Sequence, residues 1–492
     1  MIAAGEVSAV EVFNAYRERI EQVNGDVNAI VFSQLEQASQ AAIAADRARL
    51  QGKTLGPLHG VPFTVKECFQ VAGTPTTLGL THRVKQCDAV DNPLVSRLRA
   101  AGGILLGKTN VSQLMLFHES DNPVYGRTNH PLDLSRSPGG STGGEAAAIA
   151  AYCSPLGLGN DLGGSIRLPA AWCGLCGMKP TTHRLTNQGI TRNFQGMEAM
   201  LSQTGPLARR VEDIALALHV LSTNATESDT IPIPLPNEQA VDVSQLRIIA
   251  WEEDGYFPAC DSARRAVREA AAALTAAGAK VDWVKPALNE LIDLYYALMC
   301  ADGGANAKQI AHGSQLDPRI ARMLWMQGVA GMARSCIVQG YAWSGHTWLA
   351  RVLQHARPRS AAGYWQLCSR LQELKESFYQ QYFATSGASA ILSPAHALPA
   401  LPHGHSVDLL PAASYAFLAN LLGIPAGVVP WTNVYAADAS SLATGSSFMN
   451  QLTLNALKNT TDLPVSVQIM APSWREDIVL SLLGLLERER KQ

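Results

Sequence analysis

Strand-like and helix-like patterns alternate along the whole chain. Near the start, Ser8-Ala9-Val10-Glu11 fits a capping box, in which the Ser and Glu side chains satisfy free amides at a helix N-terminus. Val12, Ala15, Tyr16, Arg19 and Val23 follow near helical spacing, and an Ala-rich run predicts a second helix over roughly Gln34 to Leu50. The chain thus opens almost inside an element, as one lacking a few native upstream residues would. Val61, Phe63 and Val65 alternate with Thr64 and Lys66, which predicts a half-buried strand. Asn92 to Ala101 reads as a helix stopped by Gly102-Gly103, with an Ile104-Leu105-Leu106 strand after it.

Arg209 to Ser222 is an amphipathic helix, followed by a polar, Pro-rich connection to about Pro236. Strands at Ile248–Trp251 and Val281–Val284 flank a helix from Ser262 to Ala277 closed by Gly278, a βαβ-like unit. Leu288 to Ala384 reads mainly as helix and carries Met323, Trp325, Met326, Met332, Tyr341, Trp343 and Trp348. Such residues at helical spacing usually pack inside, and the alternative is a mobile cap over an apolar entrance. Ala390–Pro394, Gly423–Pro430 and Leu463–Ile469 read as buried strands, the last two with edge prolines, before a final helix from Arg475 to Arg490. Elements mixed in this way predict an α/β protein with one large sheet.

Composition narrows the class. Of 492 residues, 47% are hydrophobic and 16% charged, the balance of a globular interior. That length means two domains or one large domain with insertions. A net charge of −2 without a sustained basic run argues against nucleic acid as the main partner. Met1 leads into Ile2-Ala3-Ala4-Gly5-Glu6 without the charged and apolar regions of a signal peptide. The longest weakly polar run, Tyr415 to Trp431, is interrupted by Asn420, Pro425 and Pro430 and falls short of a membrane span. Nine scattered cysteines do not form a secreted disulfide framework, so a soluble cytoplasmic protein is expected.

Two motifs invite readings that their context rejects. Gly102 to Thr109 matches G-x-x-x-x-G-K-[ST], yet the order here is helix, glycine stop and apolar strand, not strand, phosphate loop and helix. Cys173-x-x-Cys176 has no second pair and lies among Trp172, Leu175 and Met178, so buried inert thiols are expected and no metal.

The chemistry concentrates between Ser137 and Arg184. Gly139-Gly140-Ser141 and Gly163-Gly164-Ser165 present serines on permissive backbone 24 residues apart. A serine nucleophile needs a proton acceptor and amide donors for the oxyanion. In one arrangement Ser141 is a nucleophile elbow, Gly139-Gly140-Ser141-Thr142-Gly143, completed by His396, His403 or His405 with Asp408. The polar, turn-like Pro131–Pro138 lead-in is not the strand that an elbow requires. In the other, Ser165 is the nucleophile, the amides of Leu162, Gly163, Gly164 and Ser165 form an anion nest, and Ser141 relays a proton to Lys66. Lys66 alone reads more simply as a strand-end lysine paired with a carboxylate, and the sharper alternative is a desolvated, neutral base.

Gly60-Val61-Pro62-x3-Lys66, Ser137-Pro138-Gly139-Gly140-Ser141-x-Gly143-Gly144-Glu145 and Gly159-x-Asp161-x-Gly163-Gly164-Ser165-Ile166-Arg167 closely resemble the amidase signature family of serine hydrolases. The intervals, 75 residues from Lys66 to Ser141 and 24 to Ser165, agree with that family's Ser–cis-Ser–Lys site. Lys66-Glu67-Cys68-Phe69 and Glu119-Ser120-x-Asn122-Pro123-x-Tyr125-Gly126 look most like the fatty-acid-amide-hydrolase-like branch. The resemblance implies one amidase domain over 1–492, with a large mixed sheet sandwiched between helices. Its strongest part is 7–221, a variable pocket or cap region spans 223–411, and 412–492 returns to the core.

The resemblance also implies roles. Ser165 attacks, Ser141 shuttles the proton between Lys66 and Ser165, the Gly140–Ser141 peptide is cis, and Met115 lines the acyl pocket. Thr142 and Glu145 read as a capping box for the Ala146–Ala151 helix, and Asp161 and Arg167 as support around the nucleophile turn. The expected activity is hydrolysis of amides with apolar acyl or aryl parts, and of esters or carbamates, through an acyl-serine without metal or cofactor. The expected partner is a small-molecule amide, with a homodimer left open and neither nucleic acid nor an integral membrane span. The alternative is the glutaminase subunit of a tRNA-dependent amidotransferase, which the apolar Leu162 and Leu168 beside Ser165 disfavour. A scaffold without activity is disfavoured because Lys66, Ser141 and Ser165 are all present.

Overall fold

In the computed structural model, which describes residues 1–191, 194–223, 225–329, 331–440 and 448–490, the alternating pattern resolves into strands joined by helices. In chain order the strands are β1 (Ile30–Ser33), β2 (Pro62–Lys66), β3 (Ile104–Thr109), β4 (Asp121–Asn122), β5 (Gly126–Arg127), β6 (Leu156–Asp161) and β7 (Cys176–Lys179). They continue with β8 (Gln203–Ala208), β9 (Arg247–Ala250), β10 (Lys280–Trp283), β11 (Ala390–Pro394), β12 (Ala426–Asn433) and β13 (Pro464–Met470). All but β4 and β5 form one 11-stranded sheet in the order β1-β3-β2-β6-β8-β7-β12-β13-β11-β9-β10. Pairing is parallel for β3-β2-β6 and for β11-β9-β10 and antiparallel elsewhere, so the sheet is mixed.

Side chains on successive strand residues point to opposite faces, which gives this sheet two apolar surfaces. Leu207 and Val428 pack with Ala146, Ile149 and Ala170 from the helices Gly143–Ala150 and Arg167–Trp172. Their neighbours Ala208 and Val429 join Val211, Ile214 and Leu218 of the helix Val211–Ser222 and Ile478, Leu482 and Leu486 of Glu476–Glu489. The sheet is therefore covered on both sides. β2 is buried at every position, so the expected half-buried strand is instead a fully enclosed one.

The first helix, Ala9–Val27, begins at the predicted capping box, with both reciprocal hydrogen bonds from Ser8 and Glu11. The Gly102–Thr109 motif is strand β3, and Lys108 is buried, donating to Pro75 O at 2.7 Å and Thr76 Oγ1 at 2.8 Å. The Tyr415–Trp431 run divides into a helix, Ser414–Leu422, and β12. Among the described residues no helix is long and apolar enough to cross a membrane.

The Met- and Trp-rich part folds as Pro318–Gly328, Gly331–Trp343 and Thr347–His355. Packing inside holds for Trp348, whose ring lies 5.7 Å from Tyr256 and 5.5 Å from Phe257. It does not hold for Trp325, Met332 and Trp343, which are 62%, 86% and 93% exposed. Periodicity places a residue on a helix face but does not say whether another element covers that face.

Candidate active site

β2 and β6 run side by side and parallel, with Thr64 opposite Gly157 and Val65 opposite Leu158. Their carboxyl ends thus bring Lys66 next to Asn160 and Asp161, at the end of a parallel pair where α/β proteins commonly hold ligands. The packing is close because β6 carries glycines. A Cβ at Gly157 would lie 2.2 Å from Glu145 Oε2, and one at Gly159 2.6 Å from Thr142 Cγ2.

Lys66 is fully buried, with Nζ 2.7 Å from Ser141 Oγ and 2.7 Å from Asn160 Oδ1. Burial pushes its amine down to about 8, against the opposing pull of Cys68, Asp161, Glu145 and Glu67. It has no direct carboxylate partner among the described residues, which removes the reading as a strand-end salt bridge. The carboxyl of Glu145 is pushed by burial up to about 8 and accepts from Thr64 Oγ1 at 2.6 Å and Thr109 Oγ1 at 2.9 Å. Near neutral pH it is therefore largely protonated and adds little negative charge beside the lysine. The expected capping box at Thr142 does not form. The Thr142 side chain caps no amide, and Glu145 turns inward to the two threonines of β2 and β3 instead.

The two glycine turns meet directly, since Thr142 N donates to Ser165 O at 3.2 Å. The Gly140–Ser141 peptide is cis. Gly164 has φ +95°, a conformation an L side chain rarely adopts, and a Cβ there would lie 2.6 Å from that of Ala416. Asp161 organises the second turn by accepting from Gly164 N at 2.8 Å, Ile166 N at 3.1 Å and the Arg167 fork at 3.0 Å through both Nε and Nη2. Arg167 then reaches Gln468 Oε1 at 2.6 Å and Asn420 Oδ1 at 2.7 Å. These contacts hold the Asp161 carboxyl well below the usual carboxylate range despite its burial. The supporting role expected of this pair is what the geometry gives.

The Gly163–Gly164 peptide is pinned at both ends. Its N–H goes to Asp161, and its carbonyl oxygen lies 3.0 Å from His118 Nε2. Since a carbonyl only accepts, His118 carries its proton on Nε2. Burial pushes this imidazole down to about 4, so it is neutral near pH 7. The four amides expected to form the nest are not equivalent in their contacts. The Gly164 N–H is occupied by Asp161, while those of Leu162, Gly163 and Ser165 have no acceptor among the described residues.

The residues of the elbow arrangement lie elsewhere in their contacts. His396 packs edge-on against Trp172 and hydrogen-bonds at Leu398, His403 lies 3.2 Å from Leu134 O, and Asp408 is paired with Arg322. Cys173 and Cys176 are buried free thiols, pushed up by burial. Among the described residues no three His, Cys, Asp or Glu side chains gather as metal ligands.

Ser141 and Ser165 open onto one cavity, which Met115 also lines. Its other walls are Asn160, Leu162, Asn187, Phe194, Met197, Met200, Leu201 and Ser202. Sequence reasoning named neither Asn160 nor the wall from Phe194 to Leu201. The available signal was a cluster of apolar residues in an otherwise Gly- and polar-rich connection. A second cavity shares Phe194 and Met197 and extends to Leu298, Met299, Arg359 and Tyr364.

Comparison with known proteins gives the family and the fold. The family model described as Amidase matches residues 11–480. Fatty-acid amide hydrolase 1 of Sus scrofa is 34% identical over 508 residues, covering 99% of this chain and 84% of that protein. A glutamyl-tRNA(Gln) amidotransferase subunit of Acidothermus cellulolyticus is 33% identical over 506 residues, covering 100% and 93%. A solved fatty acid amide hydrolase superposes with a TM-score of 0.85 at 24% identity, over 99% of this chain and 83% of that one. Fold and relatives together define an amide-hydrolysing enzyme. The chain belongs to the amidase signature family, in its fatty-acid-amide-hydrolase-like branch.

Proposed function

We propose that the protein hydrolyses amides with an apolar acyl or aryl part, with esters and carbamates also within reach, through an acyl-serine formed on Ser165. The carrying observation is the buried Lys66 amine 2.7 Å from Ser141 Oγ, with Ser141 and Ser165 on one cavity. As Ser165 Oγ bonds to the carbonyl carbon, its proton passes to Ser141 and the Ser141 proton passes to Lys66 Nζ. The carbonyl π pair moves onto oxygen, where the Leu162, Gly163 and Ser165 amides donate to it. Collapse reforms the carbonyl and breaks the C–N bond, and the proton on Lys66 returns through Ser141 to the leaving nitrogen. Water then attacks the ester by the same relay, releasing the acid and restoring the Ser165 hydroxyl.

Met115, Leu162, Phe194, Met197, Met200 and Leu201 support an apolar acyl group, as does the similarity to fatty-acid amide hydrolase 1. Residues 223–411 contribute through Leu298, Met299 and Tyr364 of the second cavity. Glutamine hydrolysis is the rival reading, because the amidotransferase relative has comparable identity. A bound zwitterion requires charged partners, and no described side chain lining the first cavity is charged. Fluorophosphonate labelling followed by peptide mass mapping tests the mechanism. The expected adduct is on Ser165 and disappears in Lys66→Ala, whereas an adduct on Ser141 would restore the elbow arrangement. Turnover of a medium-chain acyl p-nitroanilide but not of glutamine tests the substrate class.

A further inference from the structure

The relay above leaves unused the side chain that lies closest to its base besides Ser141. Asn160, at the carboxyl end of β6, is buried and shares the cavity wall with both serines. Lys66 Nζ is as near to Asn160 Oδ1 as to Ser141 Oγ, 2.7 Å in each case. Cys68 Sγ approaches the same oxygen at 3.8 Å, and burial pushes this thiol up to about 12, so it keeps its proton. Two donors therefore converge on Oδ1 and fix the amide with its oxygen toward the lysine.

That orientation matters to a base. A neutral amine has two N–H bonds and one lone pair. With an N–H on Asn160 Oδ1, the lone pair is left for the Ser141 hydroxyl. A reversed amide would instead donate to the lone pair and quench the base. We propose that Asn160 is a positioning residue for the proton acceptor, holding one N–H of Lys66 so that the nitrogen lone pair meets Ser141. The inference rests on the relay reading given above. When the Ser141 proton arrives, Nζ becomes an ammonium and its bond to Oδ1 becomes charge-assisted. Asn160 thus contributes more after proton transfer than before it.

Other groups face Lys66 from each neighbouring element. They are Glu67 and Cys68 after β2, Glu145 from the helix Gly143–Ala150, and Asp161 at the end of β6. Asp161 is committed to Arg167 and Glu145 to Thr64 and Thr109, so neither substitutes for the amide at Nζ.

The test follows the pH dependence of Ser165 labelling by a fluorophosphonate, and of kcat/KM on a medium-chain acyl p-nitroanilide, in wild type, Asn160→Asp and Asn160→Leu. Wild type should rise with pH through an ionisation at about 8. In Asn160→Asp a carboxylate beside the ammonium should move that limb up by about 1–3 pH units, lowering the neutral-pH rate about tenfold or more. In Asn160→Leu the ammonium loses its acceptor, so the limb should move down while the plateau falls about 10–100-fold. A residue that only packs would lower rates without displacing the limb. Circular dichroism identifies folded variants, and either folded variant with an unmoved limb overturns the role of Asn160. A missing wild-type limb, or an adduct away from Ser165, overturns the relay itself and this inference with it.

Discussion

The carboxyl ends of β2 and β6 and the exposed faces of the helices Pro318–Gly328 and Gly331–Trp343 treat polarity in opposite ways. Lys66, Glu145, Asp161 and Arg167 are fully buried and each is hydrogen-bonded. Trp325, Met332 and Trp343 lie largely in solvent. A buried polar group left without a partner costs about 1–3 kcal/mol, so the first region persists only as a connected set. Such a set fixes donors and acceptors in place before a substrate arrives. The inner faces of the same helices are anchored, with Arg319 paired to Asp317, Glu119 and Asp121 and with Ile320 and Leu324 buried, so only substitution on the exposed faces should reach neither the relay nor the core.

The sharpest test of this contrast is at the relay. Ser165→Ala and Lys66→Met, the latter close in volume to the native side chain, should each lower kcat about 10⁴–10⁶-fold while leaving the folded state intact. Turnover measured against folded protein, with circular dichroism as the check, decides it. A loss of less than about tenfold in either variant would show that the chemistry lies elsewhere.

Asp161→Asn should act on stability before chemistry. It leaves the Arg167 guanidinium buried without its carboxylate, at a cost of about 3–5 kcal/mol by the usual behaviour of broken buried pairs. It also weakens the acceptor for Gly164 and Ile166. Denaturant titration measures the loss. A near-neutral result would mean that Asn420 and Gln468 satisfy the guanidinium on their own.

His118→Phe removes one of the two pins on the Gly163–Gly164 peptide while keeping a planar ring beside Phe417. The expected result is a roughly tenfold lower kcat with little change in KM, the size of one modest hydrogen bond. The pH sign separates this residue from the lysine. Lys66 must be neutral to accept a proton, so kcat/KM should fall as pH drops below about 8. His118 protonates only near 4, so the variant should keep that limb where wild type has it. A displaced limb would couple His118 to the base instead of to the turn.

How much of this was legible in the sequence depends on what each residue announces. Ser141 and Ser165 are marked by glycine pairs, because backbone that must turn and approach closely leaves little choice of residue, whereas Lys66 stands out only through the family resemblance and its interval to them. One large sheet followed from alternating elements, and its mixed pairing from the family resemblance. β6 was hidden because Gly157 and Gly159, which make room for Glu145 and Thr142, are residues that strands usually avoid. Glu145 matched a capping pattern locally and was taken inward by threonines on β2 and β3, contacts that sequence spacing does not contain. Asn160 and the Phe194–Leu201 wall gain meaning only once the turns have been brought together.

The smallest expected effect bears on the exposed helices. Trp343 is 93% exposed, so Trp343→Ser returns almost no buried area to water. Trp348, in the next helix, packs its ring on Tyr256 and Phe257 and supplies the contrast at nearly the same point in the chain. Stability should change by no more than about 0.5 kcal/mol in Trp343→Ser, and by about 2 kcal/mol or more in Trp348→Ser. Turnover of a soluble anilide should stay near wild type in the first variant, since Trp343 is not among the described residues that line the cavity at Ser165. Urea midpoints for the pair give the comparison directly. Equal losses would mean that Trp343 is covered in the folded protein, and the division between an enclosed polar site and an open apolar helix would fail where it is most easily checked.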